Sequence, residues 1–139
     1  MSSAVHSQVD AHVSTWFERW GTLDRDDILH SVGCEGDDAA EFFEDFAQTF
    51  EVNMEGFLPY FHYIADEPPM YRRVYPVDSQ NRAIREIPVS LDMLVSAAEA
   101  GRWELDYPNH KIWTSRAPHM VFAFMGVLLI VGWLVFLWR

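Results

Sequence analysis

Gly36-Asp37-Asp38-Ala39-Ala40-Glu41-Phe42-Phe43-Glu44-Asp45-Phe46-Ala47-Gln48-Thr49-Phe50 is the stretch on which the reading of the fold turns. Ala39, Phe42, Phe43, Phe46 and Phe50 recur at three- and four-residue spacings and fall on one face of a helix. Glu41, Glu44, Asp45 and Gln48 take the other face. Asp37 or Asp38 is expected to cap this helix, which should run to about residue 51. The acids near its start also suit the positive end of the helix dipole.

Working back, residues 4–20 carry Val5, Val9, Val13, Trp16, Phe17 and Trp20 at helical spacing, so a first helix is expected there, closed by Gly21. Residues 22–36 read as a connection anchored by Ile28, Leu29 and Val32. Working forward, residues 52–63 are apolar but broken by Gly56 and Pro59, and read as a short helical segment. Residues 71–77 and 82–89, joined by Asp78-Ser79-Gln80-Asn81, form a candidate hairpin in which Pro76 and Pro88 allow only edge strands. Ser90 is a good N-cap for a helix over 91–100, with Gly101 as its stop. Residues 106–119 read as a polar juxtamembrane tether. The units expected are thus an acidic bundle over 1–67, a hairpin and helix over 68–105, the tether, and an apolar run over 120–138.

That apolar run holds nineteen residues without a charge, Asn, Gln or Pro. As a helix it would span about 28 Å, near the roughly 30 Å of a bilayer's hydrocarbon core. Arg102, Lys111 and Arg116 precede it and Arg139 follows it, and no secretory signal opens the chain. The expectation is a single-pass, tail-anchored inner-membrane protein that contacts the lipid bilayer through residues 120–138, its N-terminal domain in the cytoplasm.

Of the 139 residues, 21 are acidic and 10 are Lys or Arg, a net charge of −11. The imbalance is local: residues 1–67 hold fifteen acids against Arg19 and Arg25, while the stretch that follows is close to neutral. Such a surface repels nucleic acid and favours a partner with a basic face. A merely solvated acidic surface fits the same composition.

Asp24-Arg25-Asp26-Asp27 begins like a calcium loop, but Ile28 and Leu29 stand where an oxygen ligand and a glycine are needed. No two of the six histidines have the i, i+4 spacing of a zinc helix, and Cys34 is the only cysteine. Cys34 lies among acids, which blunts a thiol. No glycine-rich phosphate loop occurs. The expectation is a protein that is not an enzyme, with no cofactor and no metal.

Gly36-Asp37-Asp38-Ala39 at the head of an apolar helix resembles the acyl carrier proteins, whose Gly-x-Asp-Ser-Leu turn bears phosphopantetheine on the serine. Ala39 stands at that serine's place and has no hydroxyl. A closer resemblance is to a bacterial family of small proteins of unknown function. It rests on Gly36–Phe43, the turn Phe50–Asn53, Tyr60-Phe61, Ser90-Leu91-Asp92-Met93-Leu94 and Ala100-Gly101-Arg102-Trp103. That resemblance implies a carrier-like helical fold without a prosthetic group, and no known activity.

The fold class expected is therefore mainly α. An acyl-carrier-like small helical bundle carries a short hairpin and a further helix, plus one C-terminal transmembrane helix. The function expected is a non-enzymatic interaction module: an adapter, a regulator or an immunity-type binder. It would dock a protein with a basic surface through Asp37, Asp38, Glu41, Glu44 and Asp45. The alternatives are an accessory structural subunit of a membrane complex, and a true carrier modified at an unrecognised residue such as Ser31.

Overall fold

The computed structural model describes residues 2–64 and 74–114. Helix α1 spans Ser2–Trp16, α2 Ile28–Val32, α3 Gly36–Thr49 and α4 Leu91–Ala100. A single 3-10 turn lies at Pro59–Phe61, and strands β1 (Val74–Val77) and β2 (Lys111–Thr114) complete the order. Val9, Val13 and Phe17, Ile28 and Leu29, Phe42, Phe43 and Phe46, and Leu94 and Val95 converge in one core, with α1 packed on α4. Burying side chains of this size stabilises the fold by about 1.5–3 kcal/mol each.

The decisive stretch is a helix, and its phenylalanine face is the buried one, while Asp37, Asp38, Glu41 and Glu44 are exposed. Its start differs from expectation. Neither Asp37 nor Asp38 caps it: both lie in the first turn, and Glu35 at the N-cap makes no side-chain bond. The turn is set instead by Gly36, at φ +59°, a conformation costly for any residue with a Cβ. The Gly36 N–H donates to Ile64 O at 3.0 Å.

Helix α4 follows its local signals. Ser90 Oγ accepts from the Met93 N–H at 3.3 Å, and Gly101 ends the helix at φ +67°. Elsewhere local signals mislead. Residues 52–58 are irregular rather than helical because their backbone bonds go sideways: the Asn53 N–H donates to Gly101 O and the Trp103 N–H to Asn53 O. The connection 22–36 contains α2, a single helical unit of five residues closed by Gly33 at φ +68°.

The expected fold class is corrected in its sheet and in its span. β1 meets the stretch 82–89 only at its end, where the Ile84 N–H donates to Pro76 O; its ladder runs antiparallel to β2, from Val74 opposite Thr114 to Val77 opposite Lys111. Only the stub of a hairpin forms, with Asp78 Oδ1 accepting from the Gln80 and Arg82 N–H groups and one bridge between Val77 and Ala83. Residues 111–114, expected in a tether, are thus a strand, and the described chain is four helices with a two-stranded sheet rather than a carrier-like bundle with a hairpin. No helix among the described residues is long and apolar enough to cross a membrane. The transmembrane helix, and with it the single-pass inner-membrane placement, is corrected on that finding. The run 120–138 that suggested it lies outside the described residues.

Candidate functional site

α3 carries its acids along two edges, and the structure separates them. Asp38, Glu41 and Asp45, spaced by three and four residues, lie in one row and face α1 across a groove of about 690 Å³. Trp16 and Trp20 line the same groove from the α1 side, together with His12 and Thr15. Glu44 lies on the opposite edge, beside an apolar hollow lined by Ala40, Phe43, Ala47 and Met54. Asp37 is exposed and lines neither. Three of the five expected site residues therefore act on one surface.

Two of the groove's lining rings pack on phenylalanines of the α3 side. Trp16 meets Phe42 edge-on at 5.8 Å between ring centres, and His12 meets Phe50 edge-on at 5.3 Å. Such rings fix the two groove walls relative to each other. His12 Nε2 lies 3.1 Å from Asp45 Oδ2. The carboxylate stands off the N–H direction, however, and this buried nitrogen makes no hydrogen bond.

Lys and Arg do not neutralise the charges of α3 among the described residues. Among the described residues no Lys or Arg forms an ion pair with Asp37, Asp38, Glu41, Glu44 or Asp45. Arg25, one of two basic side chains in the acidic half, is tied to Asp10 at 2.7 Å, which raises its pKa through the hydrogen bond and the charge of that carboxylate. The row of acids therefore presents its field to solvent or to a partner.

Other reactive groups are occupied or blunted. Cys34 is buried, and burial, with the charges of Asp38 and Glu35, pushes its thiol up to about 11. Ser31, the alternative carrier residue, donates its hydroxyl to Ile28 O and accepts from the Asp24 N–H. Among the described residues no three His, Cys, Asp or Glu side chains come together as a metal site.

Sequence reasoning found the acids and missed the groove. Trp16 and Trp20 sit on the apolar stripe of the first helix and read as core. Trp20 is nevertheless 38% exposed, because the chain turns out of α1 after Trp16. The one available signal was the charge run facing that stripe, which says nothing of how the two helices sit.

No curated protein and no solved structure matches the chain. A family profile described as Protein of unknown function (DUF1493) covers residues 4–106, including the whole of α3 and α4, and the chain belongs to that family.

Proposed function

We propose that the chain is a non-enzymatic interaction module that docks a protein partner bearing a basic face. The seat is the groove between α1 and α3, with Asp38, Glu41 and Asp45 as its charged wall. What supports this most is the pairing of carboxylates that no Lys or Arg neutralises among the described residues with two tryptophans on one surface. A lysine or arginine entering the groove meets both carboxylates and indole rings, and its charged head placed over an indole face gains about 0.5–1 kcal/mol at an exposed site. Exposed ion pairs add about 0–1 kcal/mol each, so several contacts must act together. An adapter, a regulator and an immunity-type binder all fit such a face.

Pull-down with the full chain, mass spectrometry of what is recovered, and reconstitution of the binary complex test this. The expected partner has a basic surface. Asp38→Lys with Glu41→Lys should weaken it far more than Asp37→Lys with Glu44→Lys, whose residues lie outside the groove. A partner that keeps full affinity for the Asp38→Lys/Glu41→Lys chain overturns the reading.

A further inference from the structure

Residues 82–89 run as a strap from the Asp78–Arg82 turn to the cap of α4. Two histidines from different elements grip it at adjacent positions. His62, just past the 3-10 turn, is fully buried and holds the strap at Ile87: its Nδ1 lies 2.9 Å from Ile87 O. The Ile87 N–H donates to Phe61 O at 2.7 Å, so both backbone groups of Ile87 are held by that one turn. His30, on α2, holds the strap at Glu86, with Nε2 2.6 Å from Oε2.

The two grips require opposite protonation states, which follows from counting donors and acceptors. A carbonyl oxygen only accepts, so His62 Nδ1 carries a proton. His62 Nε2 lies 2.7 Å from the Tyr107 hydroxyl. That oxygen already accepts from the Trp103 Nε1–H at 2.9 Å and the Leu58 N–H at 3.2 Å. Both of its lone pairs are taken, so its own proton goes to His62 Nε2, and His62 is neutral. A second proton on His62 would set N–H against O–H and break the cluster. His30 is the reverse case. Its Nδ1 lies 2.8 Å from Asp27 Oδ1 and its Nε2 faces Glu86. Ionised carboxylates only accept, so both ring nitrogens must donate and His30 is an imidazolium.

We propose that the strap 82–89 is a pH latch, tightest in mildly acidic solution and loosened both in stronger acid and towards alkaline pH.

The signs follow from linkage. Burial lowers the His62 pKa below the ordinary 6.5, against its bond to Ile87 O, and the charge of His30 lowers it further. The His62 grip is therefore fully present above 6.5 and is lost as pH falls towards the depressed value. For His30, partial burial acts downward, but the bonds and charges of Asp27 and Glu86 outweigh it and raise the pKa above 6.5. Its grip is fully present below 6.5 and is lost as pH rises through the raised value. The two limbs meet near 6.5, so the strap's stability peaks there. Of the remaining groups facing these rings, Arg85 lines the His30 cleft, and burial raises the Tyr107 pKa above its usual 10. Phe57 and Trp103 pack on His62 without charge.

The test is amide hydrogen exchange on the 15N-labelled full chain, read as the protection factor of Ile87 from about pH 5 to about pH 8.5. The expected profile peaks near pH 6.5 and falls by up to roughly tenfold per pH unit on each side, the slope of one linked proton. Leu94 in α4 reports whole-molecule opening and should follow a different profile. Glu86→Gln should flatten the alkaline limb and leave the acid limb in place. Long-range 1H–15N spectra of the rings should give His62 as the neutral Nδ1–H form and His30 as the charged form at the peak. A flat Ile87 profile, a Leu94 profile identical to it, an unchanged alkaline limb in Glu86→Gln, or a charged His62 at the peak would each overturn the proposal.

Discussion

The Tyr107 hydroxyl joins three polar groups beside the core. It takes the Trp103 indole N–H and the Leu58 N–H, and gives its own proton to the buried His62. Two chain segments distant in sequence, 58–62 and 103–107, therefore meet at one oxygen. Removing it leaves two donors and one acceptor without partners in a partly buried site, and each unsatisfied buried group costs about 1–3 kcal/mol. The ring itself packs on Phe61 at 4.8 Å between centres, and phenylalanine keeps that contact. Tyr107→Phe should accordingly destabilise by at least about 3 kcal/mol, read as a lower denaturant midpoint with unchanged slope. A loss well below 1 kcal/mol would mean that water reaches the three groups and that the cluster contributes little.

At the scale of elements, structure decided locally and structure decided at a distance part company. α4 is of the first kind: a hydroxyl at the N-cap, an apolar face, and a glycine at its end are all written within a dozen residues. Its caps are therefore testable one at a time. Ser90→Ala removes the acceptor of the Met93 N–H and should cost about 1 kcal/mol. Gly101→Ala meets nothing within 4 Å, so only its φ of +67° resists, and the expected cost is again about 1–2 kcal/mol. Equilibrium unfolding of both variants checks this, and a neutral Gly101→Ala would show that the loop shifts to relieve the angle. The sheet is of the second kind. Asp78 organises its turn by local bonds, and that turn was legible. Beyond the Val77–Ala83 bridge the chain leaves to be gripped by Phe61, His62 and His30, and β1 takes β2 as its partner instead. Nothing near Val77 announces Lys111, because ladder partners so far apart are selected by the packing of everything between them. The irregular 52–58 stretch escaped for the same reason: its backbone bonds lie in residues 101–103.

On the scale of the whole molecule the governing fact is charge, and it divides what the sequence could say about the site. That α3 shows acids outward and phenylalanines inward follows from spacing alone. That Asp38, Glu41 and Asp45 face two tryptophans, while Glu44 borders a separate apolar hollow, depends on how α1 lies beside α3, which no local pattern encodes. The same excess of acids gives salt two opposite effects. Within the folded chain, carboxylates outnumber their partners and repel one another, with a net charge of −11. The Debye length is about 10 Å at 0.1 M salt and about 3 Å at 1 M, so added salt screens neighbouring turns of α3 from each other. Self-repulsion of this kind destabilises the compact state. Raising sodium chloride from about 0.02 M to about 0.5 M should therefore raise the thermal midpoint of the isolated chain. Binding to a basic partner should weaken over the same range, chiefly through a slower association rate, because long-range steering is lost first. Asp38→Asn with Glu41→Asn should shrink both trends together, since each arises from the same uncompensated wall. Thermal unfolding and stopped-flow association across a salt series measure the two effects. A midpoint that falls with salt would show that the ion pairs of Arg25, Arg82 and Arg102 outweigh the repulsion. An association rate indifferent to salt would place the interface away from α3.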